Sequence, residues 1–218
     1  MYGLPSVRVT PDVILVHGLW MPGVSMSPLA ARIARAGFHT HVFDYAGRDR
    51  PLEAHAERLL RFIDERVHGA PVHLVAHSMG GRVVLEALRR APELRVASVL
   101  LLGTPVNGCY AGRRLARHGW GRWMLGASET VWKEQDAPPW NRAAPLAVIA
   151  GSRPFGLARA LGKLPGTNDG VAMLEETALP GMSARLVMPV GHSEMLVSAR
   201  VARQVVAFLG DGKFHADA

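Results

Sequence analysis

Val72-His73-Leu74-Val75-Ala76-His77-Ser78-Met79-Gly80-Gly81-Arg82-Val83-Val84 is the stretch on which the reading of the chain turns. It opens as a short apolar run, which predicts a buried strand, and closes with a helical pattern. Ser78 sits at the junction. A strand that reverses sharply into a helix brings chain segments close together, and small residues on either side of the turn make room. Here these are Ala76 and Gly80, two before and two after the serine, with Gly81 adding space. The turn residue of such a junction is expected in a strained backbone conformation, with its hydroxyl raised above the sheet edge. The helix N-terminus aims free backbone N–H groups at the same spot, which favours developing negative charge. The plain alternative is an ordinary strand-to-helix turn whose serine caps the helix.

Outward from this stretch, strands and helices alternate. Val13-Ile14-Leu15-Val16-His17 is an apolar run ending at the loop Gly18-Leu19-Trp20-Met21-Pro22-Gly23. A helix follows, with Ser27 as its expected N-cap, Pro28 at its first helical position and Gly37 at its stop. Residues 38–43 read as a strand. Residues 52–67 read as an amphipathic helix, with Leu52, Ala56, Leu59, Leu60 and Ile63 at helical spacing. After the central strand and a helix over 79–90, further apolar runs fall at 98–102, 146–150 and 185–190. The C-terminal helix carries Val197, Val201, Val205 and Phe208 on one stripe. Strands alternating with helices imply a parallel sheet covered on both faces. Active sites in such sheets lie at the carboxyl ends of the strands. The segment 106–144 breaks the rhythm. It lies between two strands and holds Trp120, Trp123, Trp132 and Trp140, four of the chain's five tryptophans.

The 218 residues suit one α/β domain, and 49% apolar residues are normal for a globular protein. No apolar run approaches the ~18 residues of a membrane span, and residues 1–6 lack the features of a signal peptide. A cytoplasmic protein is therefore expected. The single cysteine, Cys109, excludes an internal disulfide. The net charge of +7 is spread along the chain, densest at Arg113, Arg114, Arg117 and Arg122. It reads as a solvated arginine-rich surface, so no nucleic-acid partner is expected. A non-catalytic basic binding module is the reading from another class, with charge alone behind it. His39 and His41 share one face of a strand and suggest a metal, but the sequence puts no third ligand nearby, so none is expected.

Ala76-His77-Ser78-Met79-Gly80 resembles the nucleophile elbow of the α/β-hydrolase superfamily, in the Ala-x-Ser-x-Gly variant of some small bacterial lipases. Ala76 departs by one methyl from the usual glycine. The resemblance extends from Val13 to Leu209. It implies a mostly parallel six-stranded sheet of order 2-1-3-4-5-6, with helices on both faces and a small cap formed by 106–144 within a single domain. Ser78 then matches the nucleophile and needs a base oriented by a carboxylate. The superfamily order is serine, acid, histidine. His192 follows the last core strand and matches the base. Gly166-Thr167-Asn168-Asp169-Gly170-Val171 resembles the acid loop, which makes Asp169 the acid. The loop does not follow its strand directly, because 151–165 intervenes, and Asp136, Glu175 and Glu176 are rivals. His17-Gly18-Leu19 matches the loop that supplies one oxyanion donor, so the backbone N–H groups of Leu19 and Met79 are the expected pair. His17 and His77 read as buried, hydrogen-bonded residues. Trp20, Met21, Trp120 and Trp123 are the expected pocket residues, with Met124 and Met195 as further apolar candidates. The implied activity is cleavage of a small-molecule carboxylic ester through an acyl-enzyme, without a cofactor. Thioester, lactone or amide hydrolysis, or acyl transfer, are alternatives on the same fold. The sequence leaves the oligomeric state open.

Overall fold

A computed structural model describes residues 11–132, 137–155 and 164–216. Its centre is a six-stranded parallel sheet in the order β2-β1-β3-β4-β5-β6. The strands are β1 (Asp12–Val16), β2 (His39–Phe43), β3 (Val72–His77), β4 (Val96–Leu102), β5 (Leu146–Gly151) and β6 (Ala184–Met188). The helices are α1 (Ser27–Arg35), α2 (Leu52–Arg66), α3 (Met79–Arg90), α4 (Tyr110–Ala116), α5 (Gly119–Leu125) and α6 (Ala199–Asp211).

The order of the sheet follows from burial. Every residue of β3 and β5 is buried, the histidines His73 and His77 of β3 included, so both strands lie inside a two-sided sheet. Alternate residues then feed two separate cores. On one face Ile14, Val16, Leu74, Ala76, Leu101 and Val148 pack with Leu59 and Ile63 of α2 and Val83 and Val84 of α3. On the other Val13, Leu15, Val75, Leu100 and Ile149 pack with Leu29 and Ile33 of α1 and Val205 and Phe208 of α6.

Two local readings are corrected. Ser27 does not cap α1. A 3-10 turn over Gly23–Met26 runs straight into the helix, Met26 takes the N-cap position without a side-chain bond, and Ser27 already has helical dihedrals of −58° and −38°. Val197 is not on the α6 stripe. It follows the 3-10 turn Ser193–Leu196, and α6 starts only after Ser198, whose side chain accepts the Val201 N–H. Val197 is therefore 53% exposed.

The β3–α3 junction has the close approach that the small residues predict. A Cβ added at Gly80 would sit 2.4 Å from the His17 carbonyl oxygen and 2.5 Å from that of Val16. Only glycine lets α3 start this near β1. Ala76 itself is fully buried against Val16, so its methyl group is accommodated. Between β4 and β5, α4, α5 and a 3-10 helix (Gly126–Trp132) stand beyond the carboxyl ends of the strands. Among the described residues, no helix is long and apolar enough to cross a membrane.

Candidate active site

Ser78 occupies the turn between β3 and α3 with φ 54° and ψ −126°. A non-glycine residue there costs on the order of 1–3 kcal/mol, held only because its surroundings over-determine it. Its N–H donates to the Leu102 carbonyl at 2.9 Å. Its side chain makes no capping bond to α3, which removes the plain helix-cap explanation for a serine at this position.

His192 lies just beyond β6, at the start of the 3-10 turn Ser193–Leu196. Its Nδ1 is 2.7 Å from Asp169 Oδ2, and its N–H donates to the Asp169 carbonyl at 2.9 Å. The other carboxylate oxygen, Oδ1, accepts the N–H groups of Val171 at 2.9 Å and Ala172 at 2.7 Å. Asp169 is 1% exposed. A buried carboxylate is tolerated when its oxygens are all bonded, and here the turn supplies the bonds. The intervening stretch between β5 and this loop does not displace it in space. Gly151, at the end of β5, packs so near that an added Cβ would lie 2.7 Å from the Asp169 Cβ.

Of the rival acids, Glu175 and Glu176 lie together on one short turn. Glu176, buried on the 3-10 turn Glu175–Thr177, accepts the N–H of Tyr110 at the start of α4 and that of Met173 at 2.9 Å. Burial pushes its carboxyl above the usual carboxylate range. Asp136 lies outside the described residues.

His17 is fully buried. Its Nδ1 lies 2.8 Å from the Gly18 carbonyl oxygen, and its Nε2 lies 3.1 Å from Asp44 Oδ1 and 3.2 Å from the Tyr45 nitrogen. This fixes the loop after β1. His77 packs its ring 4.7 Å from that of His192, and its Nε2–H donates to the His192 carbonyl at 3.0 Å. Burial, reinforced by His192, lowers its pKa to about 3, so it is neutral at ordinary pH. Burial also pushes the Cys109 thiol up to about 12, which keeps it protonated and unreactive.

Ser78, His192, His77 and Leu19 open on one apolar cavity of about 440 Å³. Trp20, Met21, Trp120 and Met124 line it. Trp123 does not, which corrects the expectation. On α5, Trp120 and Met124 are one helical turn apart and share the side that lines the cavity, where Trp120 is still 55% exposed, whereas Trp123 is 71% exposed and lies off the cavity, with the Arg48 guanidinium 4.7 Å above its ring. Met195 is buried in the α1/α6 core instead. Leu115, Leu125, Trp132 and Val171 add to the walls. Nothing in their local sequence separates them from ordinary core residues.

Sheet order, strained serine and carboxylate-held histidine together define a hydrolase of the α/β class. The chain belongs to the alpha/beta hydrolase family, whose model matches residues 13–214. It is 33% identical over 117 residues to a pimeloyl-[acyl-carrier protein] methyl ester esterase of Methylococcus capsulatus. That match takes in 50% of this chain and 41% of the relative, so less than half of the relative's length is spanned. Among solved structures, a Bacillus licheniformis lipase in mature form superposes with a TM-score of 0.69 at 18% identity, covering 95% of this chain and 94% of the lipase. A thioesterase from the prodiginine pathway of Streptomyces coelicolor does so with a TM-score of 0.63 at 14% identity, covering 96% and 90%. At those identities the likeness is one of fold.

Proposed function

We propose that the protein hydrolyses carboxylic esters through a Ser78 acyl-enzyme. Ser78 Oγ attacks the carbonyl carbon while His192 Nε2 takes its proton. Asp169 holds the imidazole through Nδ1–H and stabilises the imidazolium that forms. The tetrahedral oxyanion is met by the backbone N–H groups of Leu19 and Met79, and each such donor is typically worth on the order of 10²–10³ in rate. His192 returns its proton to the departing alcohol. Water, activated by the same imidazole, then cleaves the acyl-enzyme and restores Ser78.

The observation that carries this reading is the 2.7 Å bond between His192 and a buried aspartate whose other oxygen is locked by two backbone N–H groups. That arrangement orients an imidazole beside a strained serine in one cavity. The cavity's apolar walls suit an acyl chain, and 106–144 acts as a small cap that supplies Trp120, Met124 and Trp132 to them. The likeness to a methyl ester esterase supports an ester with a small alcohol part.

The test is labelling with a fluorophosphonate and mapping of the adduct by mass. The adduct is expected on Ser78, and Ser78→Ala should abolish both labelling and turnover of p-nitrophenyl esters with the fold intact. An adduct on Ser193 or Ser198, or turnover that survives in Ser78→Ala, would overturn the assignment.

A further inference from the structure

At the opposite ends of the strands from Ser78, parallel pairing sets Asp12 of β1 beside His39 of β2. His39 and His41 are two apart on an edge strand, so their side chains share a face. Sequence spacing offers that pair no third ligand, but strand pairing does. Asp12 Oδ1 is 2.9 Å from His39 Nδ1 and 2.8 Å from His41 Nε2, and the ligand atoms of all three residues lie within 4.8 Å of one another. The two rings meet edge to face, with centroids 4.3 Å apart at 67°, so their nitrogens converge on the carboxylate.

We infer that Asp12, His39 and His41 form a binding site for a divalent transition-metal cation of the Zn²⁺ type. Two imidazoles and a carboxylate suit zinc, nickel or copper better than magnesium or calcium, which prefer all-oxygen shells. Zinc bonds of about 2.0–2.2 Å set neighbouring ligand atoms of a tetrahedral site roughly 3.3 Å apart. The present nitrogen–oxygen gaps are a few tenths of an ångström short of that. His39 can give way, because its side chain is 65% exposed. In the metal-free arrangement each ring nitrogen donates its hydrogen to the carboxylate. On binding, the cation takes the lone pair of each nitrogen, and the displaced proton moves to the other ring nitrogen or, from an imidazolium, to solvent. Water completes the shell on the open side of His39. The ion would staple edge strand β2 to β1.

The test uses chelator-treated full-length protein titrated with Zn²⁺, by calorimetry, and with Co²⁺, by its visible absorption. One equivalent is expected to bind the wild type. Asp12→Asn and His39→Ala should each weaken binding by more than about tenfold, and neither should change turnover of a p-nitrophenyl ester, which also reports that both variants fold. At a hundredfold excess over Kd the unfolding midpoint of the wild type should rise by about 5–10 °C, and at the same cation concentration that rise should shrink by about half or more in Asp12→Asn. No saturable binding to the wild type would overturn the proposal. So would equal affinity in the double variant Asp12→Asn/His39→Ala, which would place the ion on another pair such as His215 and Asp211.

Discussion

The indole N–H of Trp20 donates to the Met124 carbonyl at 2.9 Å, joining two positions 104 residues apart. Trp20 belongs to the loop after β1 and adopts φ 58°, in the left-handed region that side chains avoid. Met124 belongs to α5. One bond therefore fixes the wall of the cavity to the loop beside Ser78. Trp20→Phe keeps the ring and removes the donor. A net loss of about 1 kcal/mol is expected, read as a KM increase of about fivefold with kcat little changed. Unchanged KM across several esters would show that the bond does not shape the cavity.

Asp169→Asn should cut kcat by roughly 10³–10⁴ while the fold persists. Asparagine can keep its oxygen on the Val171 and Ala172 N–H groups, but its amide then points a donor at His192 Nδ1. The imidazole is forced into the tautomer that carries hydrogen on Nε2, where it cannot accept the Ser78 proton. If Glu176→Gln were the crippling change and Asp169→Asn mild, the acid would be misassigned. Steady-state kinetics beside a circular dichroism spectrum decides.

Trp120, which lines the cavity, and Trp123, which does not, make an internal control. Burying one methylene is worth ~0.8 kcal/mol, so kcat/KM should climb about fourfold per carbon along a p-nitrophenyl ester series until the cavity is full, then fall. Trp120→Ala should move that optimum to longer chains. Trp123→Ala should leave it in place. A series that rises through long chains, unaltered in both variants, would show that α5 does not bound the acyl site.

Much of the fold is legible because β3 and β5 are buried on both faces and so leave largely apolar runs, interrupted in β3 by His73. The residues around Ser78 are legible for a different reason. The strand-to-helix reversal demands small neighbours, and Gly80 has no space for even a methyl group. Local helix starts are less legible: Ser27 has the right chemistry for a cap, yet the 3-10 turn ahead of it has already begun the helix. The facing of α5 is hidden too, since tryptophans at 120 and 123 look alike until one is seen stacked under Arg48. The trio of Asp12, His39 and His41 is invisible to spacing, because parallel strand pairing joins residues far apart in the chain.

Acid stability should depend on His77. Its pKa is about 3 in the folded protein against 6.5 for the ordinary group, because burial disfavours the charged form. The unfolded chain therefore binds a proton that the folded one refuses. The associated stability is fully present above 6.5 and is lost as pH falls through that window toward 3. His55 and His73 are lowered by burial in the same direction. His77→Gln retains a donor for the His192 carbonyl and has no proton to gain. Its urea midpoint should fall less steeply than that of the wild type between those limits. Parallel curves would show that His77 titrates normally.

The sheet order carries a consequence for how the protein is made. β3 and the turn bearing Ser78 emerge from the ribosome early, with β1 and β2 already available as partners. The histidine comes late: His77, beside the serine, and His192 are 115 residues apart. At about 5–20 residues per second that gap corresponds to roughly 6–23 s of synthesis. Throughout that interval a nascent chain would hold Ser78 without the histidine proposed as its base. Under the mechanism proposed above it could not attack esters around it, and turnover would begin only once β6 has paired with β5 and His192 has joined the site.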